Sequence, residues 1–309
     1  MASCSTSQDM NTLDNKFDAI STNQDGPAIV IFHLDTILRN QKLDEICQIA
    51  AQYKEQKFQV YLLPDGEFDP RASEKNGFGI VQNGKYRQLT HDKKVVHTVS
   101  PEDGLKEFLK FLCNLTGNTC KVLLAAYNCL VFQRHIILRH MIHYGLLDTF
   151  KSLVLGFIDT MHVFKEVLPN EDSYELENLA EKFLNYTIPK TIHAGIYVDL
   201  TMSLIETNKC DVVMKEKAHD LEEFIRYFYL KSSFDEVKKD NKRDTTLEGY
   251  LKKIAKAGIT IDELKNCYRE DPDNGISNLF TARVKMTKNG IMKINYIVKE
   301  LCDMNDNTV

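Results

Sequence analysis

The sequence predicts a mixed α/β domain followed by a small all-helical one. Two observations predict the first part. Apolar, β-branched runs joined by short polar turns come first, and strand patterns alternating with helical ones follow, an order that builds a mixed sheet flanked by helices. The third observation is a change of character near Lys231, beyond which the segments are short, helical and punctuated by Gly258, Pro272, Gly275 and Gly290.

Residues 1–26 are rich in Ser, Thr, Asn and Asp and lack an apolar stretch, so they are expected to form a flexible tail rather than a signal peptide. Ile29-Val-Ile-Phe-His-Leu-Asp-Thr-Ile37 is the expected central strand, an apolar run ending in two spaced polar residues. Because residues i and i+2 of a strand share a face, His33 and Asp35 are expected to enter the same space. Leu43 to Tyr53 and Lys57 to Leu63 extend this into an antiparallel meander through short polar joins. Phe78 to Leu89 holds Gln82-Asn83-Gly84-Lys85, a tight-turn signal. Ser100-Pro-Glu-Asp opens a helix with a capping Ser, a first-turn Pro and early acids, and Leu105, Phe108, Leu109 and Leu112 form its apolar face.

Lys121 to Ala126 reads as a buried strand leading through Tyr127-Asn128 into a helix that ends near Gly145. Leu153 to Phe157 is another strand, followed by Asp159-Thr160 and a helix to Val167; Asp159 is expected to cap that helix. Asn170 to Ser173 caps a helix over Tyr174 to Leu184, and further helices are expected over Ile192 to Ile205 and Asp211 to Phe228. The expected division is 27–230 for the α/β domain, 231–246 for a charged linker and 247–303 for the helical domain, with 304–309 as a tail. Helices are expected over Leu247 to Ala257, Thr260 to Cys267, Gly275 to Ala282 and Asn289 to Leu301.

A net charge of −5 gives no global nucleic-acid signature, so any basic surface must be local. From Ile276 to Lys299 there are basic residues Arg283, Lys285, Lys288, Lys293 and Lys299 and no acid, which makes this segment the candidate phosphate-binding patch; the bland alternative is a solvated helical face. A second cluster, Lys238, Lys239, Lys242 and Arg243, is interleaved with acids. The eight cysteines include no CxxC pair, and Cys47, Cys113 and Cys129 fall in apolar patterns as buried thiols do. His135, His140 and His143 read as surface or core residues rather than as a metal site, on a helix that is one candidate interface. No run approaches the length of a membrane span. The expected setting is intracellular, cytoplasmic rather than nuclear.

Phe32-His-Leu-Asp-Thr36, Tyr127-Asn128 with Phe132-Gln133, Phe157-Ile-Asp-Thr160, Ser173-Tyr-x-Leu-x-Asn-Leu-Ala180 and His193 to Asp199 occur in an order that resembles the DnaQ-like 3′–5′ exonucleases. These are ribonuclease-H-like proteins with four acids and a histidine (the DEDDh class), and the resemblance covers roughly residues 27–206. Leu43 to Ala51, Tyr144-Gly-Leu-Leu147 and the helical tail resemble the Exuperantia family of insect RNA-binding proteins more narrowly. Ser152 to Phe183 is also similar to the exonuclease-like C-terminal region of promyelocytic leukaemia proteins, and Lys288 to Lys299 is similar to the last helix of a SAM domain. The resemblance implies a ribonuclease-H-like mixed five-stranded sheet, a small all-α SAM-like domain, RNA or another single-stranded nucleic acid as ligand, a homodimer, and protein contacts through the SAM-like domain.

In the active class, four carboxylates hold two divalent cations and a histidine is the general base. Carried over by position, the first carboxylate becomes His33, the second Asp35, the third Gln133 and the last Asp199. The base falls on Ala194, with His193 one place earlier. Neutral imidazole is a poor Mg²⁺ ligand and Gln adds no charge, so the two-metal site is expected to fail and no cofactor is expected. Two alternatives remain. One is an active exonuclease with an altered ligand set using Mg²⁺ or Mn²⁺; the other is a single softer metal such as Zn²⁺ on His33, Asp35 and Asp199. The plain alternative is that His33 and Gln133 hydrogen-bond inside a silenced cleft.

Overall fold

The computed structural model describes residues 26–38, 44–116, 121–237 and 244–306. Residues 1–25 of the tail expected over 1–26, the basic cluster at 238–243 and the last three residues lie outside the described residues. The chain divides into two compact units, residues 1–219 and 220–309.

The first unit is built on a six-stranded sheet in the order β3-β2-β1-β7-β8-β9. Strand β1 (Ala28–Thr36) lies inside it, antiparallel to β2 (Ile46–Tyr53) and parallel to β7 (Val122–Ala126). Strand β3 (Gln56–Tyr61) completes the meander, and β8 (Val154–Asp159) runs parallel to β7. The mixed α/β architecture is as expected, with six strands in place of five. The addition, β9 (Ala218–Asp220), is three residues long, too short for an alternation signal. It sits against Gly156, where a Cβ would lie 2.2 Å from the His219 carbonyl oxygen. The expected single helix over Asp211 to Phe228 is accordingly broken by this strand.

The hairpin at Asn83-Gly84 forms as expected, between β4 (Phe78–Asn83) and β5 (Tyr86–His91), with Gly84 at φ +61°. It belongs to a separate three-stranded sheet completed by β6 (Lys94–Val95). Helix α1 (Pro70–Asn76) precedes it and was not expected, because just under two turns with only Ala72 as an apolar residue carry no periodicity. Its start is nonetheless encoded: Asp69 accepts from the Arg71 N–H, and Pro70 stands at the first position.

Helix α2 (Pro101–Thr116) begins as read, with the Ser100 hydroxyl oxygen accepting from the Asp103 N–H at 3.1 Å. Its Phe108 packs on Phe32 and Phe58 from the sheet, with ring centroids 6.5 and 5.8 Å apart. The other face of β1, carrying Ile31, joins a core with helices α5 (Thr160–Val167), α6 (Leu176–Leu184) and α7 (Ala194–Thr207). Between β7 and β8 run a π-helical turn (Cys129–Gln133), α3 (Arg134–His143) and α4 (Leu147–Leu153), the last unforeseen. Helix α8 (Asp211–Glu216) leads to β9.

The second unit is helical: α9 (Leu221–Val237), α10 (Thr245–Lys256), α11 (Ile261–Glu270), α12 (Gly275–Arg283) and α13 (Lys288–Asp306). The last four match the expected segments. The stretch 231–237, expected in a linker, is the end of α9 and buries Phe234, and residues 304–306 extend α13. Asp244 and Thr260 cap α10 and α11. None of the helices among the described residues is long and apolar enough to cross a membrane.

Candidate functional site

Strand β1 outruns β7. Their parallel pairing ends at Ile31–Ala125, so His33, Leu34 and Asp35 extend past their neighbour at the carboxyl ends of the parallel strands. Open α/β sheets place their ligand crevices there. A cavity of about 500 Å³ occupies this position, lined by β1, α1, the π turn, Ile192, Tyr197 and two carboxylates, Glu175 and Glu177.

The π turn follows directly from Asn128, which adopts φ +56° and turns the chain sharply out of β7. This brings Gln133, only 3% exposed, onto β1. Its Oε1 accepts from the Leu34 N–H at 2.9 Å, where β7 no longer supplies a partner. Its Nε2 lies 3.3 and 3.4 Å from the two ring nitrogens of His33. On the other side His33 stacks on Tyr197 of α7, with centroids 4.2 Å apart and planes 12° from parallel. His33 is only partly open to the cleft. Burial first, and the Lys75 ammonium second, push its imidazolium pKa down to about 3, so the ring is neutral at physiological pH.

Asp35 shares the face of His33, as the i, i+2 spacing predicts. Its Oδ2 accepts from the Ala194 N–H at 2.5 Å, and Gln48 Oε1 accepts from the same N–H at 3.1 Å. Burial raises the Asp35 carboxyl to about 7, against the lowering effects of that backbone bond and of Lys75.

The remaining candidate residues are placed elsewhere. Asp199 is exposed and pairs with Lys57, Nζ to Oδ1 2.5 Å, outside the residues lining the cleft. The α7 residue that enters the cleft is Tyr197, two positions and about 200° of helical rotation earlier. His193 is the N-cap of α7, its Nδ1 accepting from the Gly195 N–H at 3.1 Å, and it meets the His91 ring edge-on at 4.9 Å. Burial and then His91 lower its pKa. Val198, five residues beyond it, is buried and apolar. Asp159 caps α5 as expected, with Oδ1 accepting from the Met161 N–H, and also anchors the π turn through Oδ2 and the Leu130 N–H at 3.0 Å.

Lys75, Glu177, Glu175 and Tyr197 were not singled out from the sequence. Lys75 rides on the unforeseen α1, lies 5.4 Å from the Tyr197 centroid and reaches Glu177 Oε1 at 3.3 Å. The Tyr197 hydroxyl donates to the same carboxylate at 2.8 Å. Burial pushes Glu177 up, but its own backbone N–H, Lys75 and Tyr197 together hold it below its ordinary value. A signal existed for Tyr197, which is four residues after His193 on one helix face. Nearby Tyr127 donates to the Tyr174 carbonyl at 2.5 Å and is raised to about 12 by burial, then by Glu177 and Glu175.

These residues do not fit a two-metal set. Of the four carried-over positions, one is a carboxylate inside the cleft, one is a neutral imidazole between Tyr197 and Gln133, and one is an amide whose oxygen is bonded to the backbone. The fourth faces solvent beside Lys57. Among the described residues no group of three or more His, Cys, Asp or Glu side chains is arranged to hold a metal ion, and the Zn²⁺ alternative on His33, Asp35 and Asp199 fails because Asp199 is elsewhere.

In the second unit, Arg283 is held by Glu263 (2.5 Å) and the Ala257 carbonyl (2.8 Å), and Lys293 pairs with Asp244. Lys285, Lys288 and Lys299 are exposed.

Comparison with known proteins agrees with this layout. A family model described as the PML C-terminal domain matches residues 248–304, within the helical unit rather than at 152–183, where the sequence placed that likeness. The maternal protein exuperantia of Drosophila virilis is 28% identical over 158 residues, 50% of this chain and 32% of that protein. Its Drosophila melanogaster counterpart is 26% identical over 147 residues, 45% and 28% of the two chains. The aligned stretch thus spans about a third of the length of these relatives. Among solved structures, a zinc-bound complex of E. coli exonuclease I with single-stranded DNA superposes with a TM-score of 0.45 and 14% identity, covering 65% of this chain and 43% of that one. The same enzyme with a dT13 oligonucleotide gives 0.46 and 14%, covering 60% and 42%. The model described as the Exuperantia RNAse H-like domain matches residues 28–183, from β1 to the last turn of α6. That match takes in half of the chain, and the protein belongs to the family of Exuperantia RNAse H-like domains.

Proposed function

We propose that this protein is a nucleic-acid-binding member of the exonuclease-like fold whose cleft no longer carries out two-metal hydrolysis. The observation that supports this most directly is Gln133, which bonds the β1 backbone and His33 where a carboxylate would hold a cation. A two-metal reaction needs several carboxylates to bind and offset two hard cations; here Asp35 is the one carboxylate among the four positions that lines the cleft. Neither Mg²⁺ nor Mn²⁺ is part of this reading.

RNA is the nucleic acid that the resemblance to the Exuperantia family implies. Exposed Lys285, Lys288 and Lys299 support phosphate contacts from the helical unit, which the resemblance casts as SAM-like. Met292 and Tyr296, 61% and 62% exposed on α13, support a further contact surface there. The reading includes a homodimer, which light scattering tests: a pure monomer at micromolar concentration removes it.

The deciding experiment follows end-labelled single-stranded RNA and DNA on the full chain with Mg²⁺, Mn²⁺ or EDTA. Intact strands that are bound, with affinity falling as salt rises, are the expected result. Metal-dependent 3′ shortening that Asp35→Ala abolishes would establish the active exonuclease instead.

A further inference from the structure

The three-stranded sheet β4-β5-β6 has two unlike faces. On one, Phe78 and Leu89 join Ile37 and Cys47 in a buried cluster, with Ile80 packed against it. The cross-strand register Val81–Gln88, Asn83–Tyr86 and Thr90–Val95 sets Val81, Tyr86 and Val95 together on the opposite face, one from each strand. They are 41%, 66% and 55% exposed. The exposed Lys85 holds its Nζ 5.6 Å from the Tyr86 ring centroid, and exposed Lys93 stands at the turn beyond the other end of β5, while Lys94, opposite His91 in β6, belongs to the Phe78 face. With roughly 3.3 Å per residue, the two turns are about 17 Å apart. Residues 84–97 hold four Lys and Arg residues against one acid, a local charge of +3 in a chain of −5. Arg87 is engaged by Glu67 and by the Pro64 and Gly66 carbonyls, which leaves Lys85 and Lys93 as the cations beside this face.

We propose that this face binds single-stranded nucleic acid, with Tyr86 stacking on a base, Val81 and Val95 flanking it, and Lys85 and Lys93 contacting phosphates on either side. The proposal rests on the nucleic-acid-binding reading above and assigns it a surface on the α/β unit outside the cleft. Charge favours this surface over the cleft, where Glu175 and Glu177 outnumber Lys75 and phosphates would meet carboxylates. A flat aromatic ring between cations matches the alternation of bases and phosphates along a single strand; an acidic peptide offers the charge without the π surface.

The test is fluorescence anisotropy of a labelled twelve-residue oligouridine with the full chain. Lys85→Ala/Lys93→Ala is expected to bind about fivefold or more weaker, with a salt slope shallower by about 1.4, from roughly 0.7 per phosphate contact. Tyr86→Ala is expected to bind roughly fivefold or more weaker and Tyr86→Phe to retain binding. On an abasic strand of equal length Tyr86→Ala should make no difference. Unchanged thermal unfolding of each variant confirms that the sheet is intact. Wild-type binding with unaltered affinity in both the lysine and Tyr86→Ala variants overturns this inference and leaves the broader reading standing; no wild-type binding removes both. Displacement of the oligouridine by polyglutamate with the same dependence on Tyr86 would assign the face to acidic protein segments and overturn the proposal.

Discussion

The Tyr197 ring lies flat on His33, 4.2 Å between centroids, and the Lys75 Nζ lies 5.4 Å from the centroid of the same tyrosine. The stack links β1, α7 and α1 across the mouth of the cleft. Removing its middle member should release His33 to solvent. In Tyr197→Ala the imidazole is expected to titrate close to 6.5 instead of staying neutral down to about 3, while Tyr197→Phe keeps the depressed value. A histidine ring-proton titration by NMR checks this; a His33 that already titrates near 6.5 in the wild type would contradict the stacked, desolvated geometry.

Gln133→Ala should lower stability by about 1–3 kcal/mol, because the buried Leu34 N–H loses its acceptor with no strand to replace it. Urea denaturation provides the measure, and a change below about 0.5 kcal/mol would show that the bond is dispensable.

Asp35 and His33 act on pH dependence with opposite signs. The folded Asp35 keeps its proton to about 7 while the unfolded group releases it near 3.8, so this group lowers stability as pH rises between those values. The unfolded His33 takes up a proton below 6.5 that the folded ring refuses until about 3, so this group lowers stability as pH falls through that window. Between about 4 and 6.5 the two slopes offset each other. Asp35→Asn removes the first, and the variant is expected to gain stability relative to the wild type as pH rises from 4 to 7, by up to about 4 kcal/mol. Urea midpoints at four pH values test this, and a pH-independent difference would refute the raised carboxyl.

Asp199→Ala tests whether that acid belongs to the site. Its pairing with Lys57 is more than half exposed on both sides, so the loss should be under about 1 kcal/mol. Nucleic-acid affinity through the cleft, and any residual cleavage, should be unaltered; a loss of either would return Asp199 to the site.

Gly156→Ala should destabilise the sheet, since its Cβ would meet the His219 carbonyl oxygen at 2.2 Å and neither backbone can yield without parting β8 from β9. A cost of about 1–3 kcal/mol is expected in chemical denaturation. Full tolerance would mean that β9 is not held against β8 in solution.

What could be read from the chain follows the range of the signals. His33 and Asp35 needed only strand periodicity, and Asp159 needed only its place before a helix; both are local. Asp199 was misplaced because one residue of helical phase is 100°, and the phase of α7 depends on where Asp35 and Gln48 catch the Ala194 N–H, a long-range event. Lys75 was missed because α1 has almost no apolar face. The acids that pair with Arg283 and Lys293, Glu263 and Asp244, are 20 and 49 residues away, beyond the reach of a local pattern.

The bond from Leu34 to Gln133 also bears on redesign. It makes position 133 part of the backbone of β1 and not only part of a cleft. An aspartate there would shorten the side chain by a methylene and place a charge at a site 3% exposed, so the first effect would fall on folding, before any nucleic acid was met. A designer installing an acid at this position would have to rebuild the end of the strand first.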